Sequence, residues 1–277
     1  MTRAPHVVAL VALAVWLGQV DGTSAAFTDR AVVTSGTHTS GSMAAPAVPT
    51  VTQVRGSGAT RVAWTASAVG DHGATATSYE VQRYDAATGA TPTAVCSVTA
   101  DPGATLACED GTRPSGTRHY AVRARFGASW RAESSRRAFA ADLTGPDVTV
   151  TQPENGYRGS AADLRRALDR GCGADALGCG SAADPAGVEA VRWVLELRPS
   201  AGNRALRCWD GASFVVAGAS GCADRAAATS AVSGGLRWRI PGAANEVYRD
   251  RGTYTVTVTA RDVFANPTTV TSAVTVN

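Results

Sequence analysis

Six cysteines, four histidines, six tryptophans and no lysine bound the chemistry open to this 277-residue chain. The cysteines are Cys96, Cys108, Cys172, Cys179, Cys208 and Cys222. They show no Cys-x-x-Cys and no neighbouring histidine, so they read as disulfide partners of an exported chain and not as a zinc site. Many pairings are open to six cysteines, but local spacing favours 96–108, 172–179 and 208–222. In the chain-entropy account, each such loop contributes roughly 2.5–3 kcal/mol.

The other reactive side chains are sparse. Without lysine there is no Schiff-base amine, no Ser–Lys catalysis, no P-loop lysine and no Lys–Asn isopeptide. The histidines are His6, His38, His72 and His119, so residues 120–277 hold no imidazole base. A Ser–His–acid triad would have to use His72, in a polar glycine-bearing loop, or His119, which precedes Tyr120 and faces away from the core side of its strand. No His-Glu-x-x-His, Gly-x-Ser-x-Gly or dinucleotide glycine fingerprint occurs. A carboxylate pair for glycoside hydrolysis needs only two acids at the right separation, which sequence order does not settle. The expectation is a non-enzyme, with no catalytic residues, no cofactor and no metal.

Asp184, Asp210 and Asp262 stand at strand–turn junctions. They read as turn caps rather than calcium ligands, because no Asp-x-Asp run accompanies them. Trp64, Trp193 and Trp238 lie among alternating apolar neighbours and are expected in a core. Trp130 and Trp209 lie near turns, as candidate ligand-stacking residues for a sugar or as core-edge packing.

These residues need elements to hold them. Hydrophobic residues are 44% of the chain and charged residues 18%, which is a globular composition. A net charge of +3 gives no footprint for nucleic acid. Arg165, Arg166 and Arg170 are offset by Asp163 and Asp169, as on the solvated side of a helix. A basic head with Arg3, the 14-residue apolar run Val7–Val20 and small residues up to Ala26 read as a secretory signal peptide over residues 1–26. Residues 27–49 read as a lead-in segment, closed by Pro46 and Pro49.

Residues 50–142 then alternate as short strands: Thr60–Trp64, Ser78–Tyr84, Thr93–Thr99, Ala104–Glu109, Arg118–Phe126 and one through Phe139. Turn clusters between them predict a β-sandwich. Residues 145–277 repeat the pattern, with strands at Asp147–Gln152, Val188–Leu197, Phe214–Ala217, Leu236–Ile240, Thr253–Ala260 and Thr268–Val276. One helix is predicted over Ser160–Arg170, with Ser160 and Asp163 as its capping box and Gly171 as its stop. The fold class is therefore all-β: two tandem antiparallel β-sandwiches with a short helical insertion in the second.

The first sandwich resembles a bacterial fibronectin type III module. Trp64 in Arg61-Val62-Ala63-Trp64-Thr65 matches its early-strand tryptophan. Ser78-Tyr79-Glu80-Val81-Gln82-Arg83 matches its Tyr-x-Val-x-Arg strand, and Gly116–Ala124 the strand whose tyrosine packs at a corner. Cys96 and Cys108 depart from the plain pattern and look like a variant of secreted actinobacterial proteins. The second sandwich resembles bacterial Ig-like repeats of large surface proteins, through Cys179–Val188, Trp209–Phe214, Trp238 and Gly252–Asp262. That family closes with Asp-x-x-Gly-Asn. Here Ala265 stands where glycine is expected, before Asn266. Gly22–Asp29 is similar to the SipW-dependent type of signal peptide, found among fibre-forming biofilm matrix proteins.

These resemblances imply a secreted or cell-surface non-enzymatic protein, acting as an adhesion or envelope-interaction or spacer module. Two alternatives are a self-assembling extracellular matrix fibre subunit, with self-association through residues 27–45, and a carbohydrate-binding accessory module of a polysaccharide-degrading system. The implied partners are signal peptidase during export and a cell-envelope polysaccharide or surface protein, with no nucleic acid. No sortase-type tail follows Val276-Asn277, so surface attachment is expected to be non-covalent, through a partner or through an uncleaved N-terminus.

Overall fold

A computed structural model describes residues 44–69, 74–100, 104–127, 130–202 and 204–277. The expected signal peptide, nearly all of the 27–45 segment, and His72 lie outside them.

The first sandwich is built from β1 (Thr50–Gln53), β2 (Thr60–Thr65), β3 (Ala68–Val69), β4 (Ala74–Thr75), β5 (Ser78–Tyr84), β6 (Thr93–Thr99), β7 (Thr105–Asp110), β8 (Thr117–Phe126), β9 (Trp130–Glu133) and β10 (Arg137–Ala140). Its sheets run β1-β2-β7 and β10-β8-β5-β6, with β9 following β10's partner β8 at its far end. The two sheets form an antiparallel β-sandwich. Period-2 alternation aims Val62, Trp64 and Leu106 from one sheet at Tyr79, Val81, Tyr120 and Val122 from the other, forming one core. The disulfide Cys96–Cys108 joins β6 to β7 and so staples the two sheets together.

The second sandwich comprises β11 (Asp147–Gln152), β12 (Arg158–Gly159), β13 (Ala176–Ala183), β14 (Val188–Pro199), β15 (Arg207–Trp209), β16 (Phe214–Val216), β17 (Arg225–Ala226), β18 (Ala228–Val232), β19 (Gly235–Pro241), β20 (Gly252–Asp262) and β21 (Pro267–Val276). A sheet ordered β11-β13-β19-β18 faces one ordered β12-β21-β20-β14-β15-β16, with β17 also on β14. Pairing is antiparallel except between β12 and β21. Val191, Trp193, Leu195 and Leu197 of β14 and Tyr254, Val256 and Val258 of β20 pack against Trp238 and Ile240.

The helix Ala161–Cys172 covers one end of this core with Leu164 and Leu168, both fully buried. Ser160 caps it: the hydroxyl accepts from the Asp163 amide at 3.2 Å and donates to the Asp163 carboxylate at 2.7 Å. The helix runs past the expected stop. Gly173, at φ 81°, provides the C-cap, while Gly171 lies within the helix, where a Cβ would come 2.7 Å from the Gln152 side chain. A one-turn helix, Ala244–Val247, packs beside it. The remaining disulfides are Cys172–Cys179, from helix end to β13, and Cys208–Cys222. No described helix is long and apolar enough to cross a membrane.

Candidate functional site

The densest polar constellation lies where the two sandwiches meet, and it is assembled from turns. In the β20–β21 turn, Asp262 is fully buried. Its Oδ1 accepts from the amides of Phe264 at 2.9 Å and Asn266 at 2.7 Å, and its Oδ2 from the Asn266 side-chain amide at 2.6 Å. Ala265 occupies the left-handed region at φ 65°, so the turn expected of glycine forms with alanine in its place.

The first sandwich reaches onto this turn from two loops. Arg113, in the loop after β7, donates from Nη2 to the Phe264 carbonyl at 3.3 Å and to Asn266 Oδ1. Gly56, between β1 and β2, donates its amide to the Val263 carbonyl at 2.8 Å. Gly58 must be glycine here. Its φ is +67°, and a Cβ would lie 2.7 Å from both the Arg113 guanidinium and the Phe264 carbonyl.

The connecting segment is held from both sides. Gln53 of β1 donates to the Asp142 carbonyl at 2.8 Å and accepts from the Asp142 amide at 2.7 Å. The same carbonyl accepts from Asn266 Nδ2 at 3.1 Å. At Gly145 a Cβ would come within 2.8 Å of Thr268 Oγ1 and the Pro267 carbonyl, so the strand start lies directly on β21.

One oxygen from each of Asp142, Asp184 and Asp262 falls within 4.8 Å of the others. Carboxylate oxygens of this kind suit a hard divalent cation, which takes six to eight of them. All three aspartates also serve their turns: Asp142 accepts from the Thr144 amide at 3.0 Å and Asp184 from the Ala186 amide at 2.7 Å. Asp210 does not join them. It caps its own turn through the amides of Ala212 at 2.8 Å and Ser213 at 2.7 Å, which hold its carboxyl below the usual range. Sequence order gave no sign of Asp142, because the convergence of positions 142, 184 and 262 exists only once both sandwiches are folded.

A second network stabilises the first sandwich internally. Asp110 is 3% exposed and accepts from Arg83 at 2.5 Å, Tyr120 at 3.0 Å, and the Thr112 amide and hydroxyl. Burial alone would raise its pKa, but the hydrogen bonds from Thr112 and Arg83 outweigh it and hold the carboxyl below its ordinary value. On the outer sheet face Arg123 bonds Glu133 at 2.8 Å and Arg125 bonds Glu80 at 2.9 Å.

The two candidate stacking tryptophans sit in different sandwiches. Trp130 opens β9 and is 44% exposed. Trp209 of β15 is buried, with its ring 5.2 Å from that of Phe214, so it is a core-edge residue and not one half of a shared platform. Trp64, Trp193 and Trp238 are in the cores. His119 is partly buried in β8, with its Nδ1 unpartnered.

No protein-family model and no curated protein matches the sequence. Among solved structures, the chain is similar to the chicken CNTN1 FN1–FN3 domains, at 14% identity over 84% of this chain and 69% of that chain, with a TM-score of 0.27. The strand order and core packing of the two sandwiches define the fold.

Proposed function

We propose that this chain is an exported, non-enzymatic surface protein whose two sandwiches act together as a stiff spacer for adhesion or envelope contact. The reading is carried by the junction: the reciprocal Gln53–Asp142 pair, with Arg113 reaching across to Asn266 and Phe264, fixes one sandwich on the other. A loose tether would leave these backbone groups to water. A disulfide in the first sandwich and two in the second suit an oxidising compartment outside the cell.

Small-angle scattering tests this. The full chain should scatter as a single rigid arrangement of the described residues, and Gln53→Ala/Arg113→Ala should require an ensemble of orientations. A wild-type curve that already demands such an ensemble would rule out the spacer.

A further inference from the structure

The outer face of the β11-β13-β19-β18 sheet carries a groove of about 730 Å³ whose lining includes no carboxylate. Two arginines dominate it. On β19 the buried Trp238 and Ile240 alternate with exposed Arg237 and Arg239, so period-2 geometry turns both guanidinium groups to the same outer face. Strand register sets Arg237 between two serines, Ser181 of β13 on one side and Ser230 of β18 on the other. Thr149 of β11 extends the row, its hydroxyl 2.7 Å from that of Ser181. Several arginines elsewhere are paired with acids, as Arg192 is with Asp224 at 2.7 Å. Among the described residues neither groove arginine has a carboxylate partner; Arg239 donates only to the Ala174 carbonyl, at 3.4 Å.

We propose that this groove binds an acidic polysaccharide, with its carboxylates held by the Arg237 and Arg239 forks and its hydroxyls by the Ser181–Arg237–Ser230 row. The proposal rests on the reading of the chain as an exported surface protein and names a ligand for it. Guanidinium forks match carboxylates bidentately, and two positive charges without a carboxylate partner, in a groove with no acid in its lining, favour an anionic occupant; Asp147, on the same face two residues before Thr149, lies outside that lining. The occupant's direction decides between ligand classes. The lining runs from Thr151 on β11 to Ser230 on β18 and so crosses all four strands. A peptide added by strand pairing would instead lie along the edge of β18. The groove presents no exposed aromatic ring: Trp238 is 1% exposed. Stacking on a neutral sugar therefore has no platform here, and recognition falls to charge and hydroxyls.

The test is titration calorimetry of the full chain against polygalacturonate, its methyl ester, poly-L-glutamate and polyphosphate. Polygalacturonate should bind, and the ester should bind at least tenfold more weakly. Arg237→Ala/Arg239→Ala should also lose at least tenfold, while Arg165→Ala/Arg166→Ala on the helix should bind as the wild type does. Both groove arginines are exposed, and Arg237→Lys/Arg239→Lys, which keeps charge but not the fork, should weaken binding too. No binding to polygalacturonate, unchanged binding by the alanine pair, or equal binding of the ester, poly-L-glutamate or polyphosphate would overturn the proposal. The groove lies away from the junction contacts, so these substitutions leave the scattering curve unchanged. Failure here leaves the spacer reading standing, and a flexible junction leaves this site standing.

Discussion

At the scale of single residues, Ala265 and the buried tyrosines carry the sharpest expectations. Ala265 sits at φ 65°, a conformation that costs an L-residue roughly 1–2 kcal/mol and glycine almost nothing. Glycine gives part of that back through the unfolded chain. Ala265→Gly should therefore stabilise the protein by about 0.5–1 kcal/mol in urea denaturation. Tyr120 and Tyr254 are each pushed up to about 12, first by burial and then by the negative charge of Asp110 and Asp250 respectively. A raised folded-state value means the neutral phenol is favoured by the fold. That stability is complete below the unfolded value of about 10 and is lost as pH rises toward the folded one. Unfolding measured at pH 9 and pH 11 should show a loss of about 1 kcal/mol per tyrosine. Tyr120→Phe/Tyr254→Phe should flatten that dependence.

Among elements, strands were legible where β-branched residues alternate with polar ones. Thr253–Ala260 lies inside β20 because valines face the core and threonines the solvent. β13 was not legible as a strand. Its sequence ALGCGSAA has no β-branched residue and two glycines, yet it is central to its sheet. The physical reason is the neighbouring strands: a Cβ at Gly180 would lie 2.5 Å from the Trp238 ring and would also strike the Thr149 carbonyl. The glycine makes room for the largest side chain of that core, which no local propensity encodes. Gly180→Ala should cost about 1–3 kcal/mol as the sheet separates or the indole tilts. Near-UV circular dichroism and the melting temperature would register it. An unchanged tryptophan signal would mean that the indole is not packed over the glycine. The helix stop was misplaced for the same kind of reason, since Gly171 serves the approach of Gln152 and not chain termination.

For the whole molecule, the sequence carried the two-sandwich plan because signals for strands, turns and caps are local. The junction was not legible. Gln53, Arg113 and Asn266 are ordinary polar residues in isolation, separated by up to 153 positions when they bond. Only glycines at 58 and 145 hinted that something approaches closely, and glycine is common in this chain. Arg237 and Arg239 were similarly silent, because their flanking serines come from other strands. The central claim is that the sandwiches move as one body. Residual dipolar couplings from both sandwiches of the full chain test it most directly. A single alignment tensor should fit both sets of amides, and Gln53→Ala/Arg113→Ala should require two tensors of different magnitude. Two tensors in the wild-type protein would contradict the account.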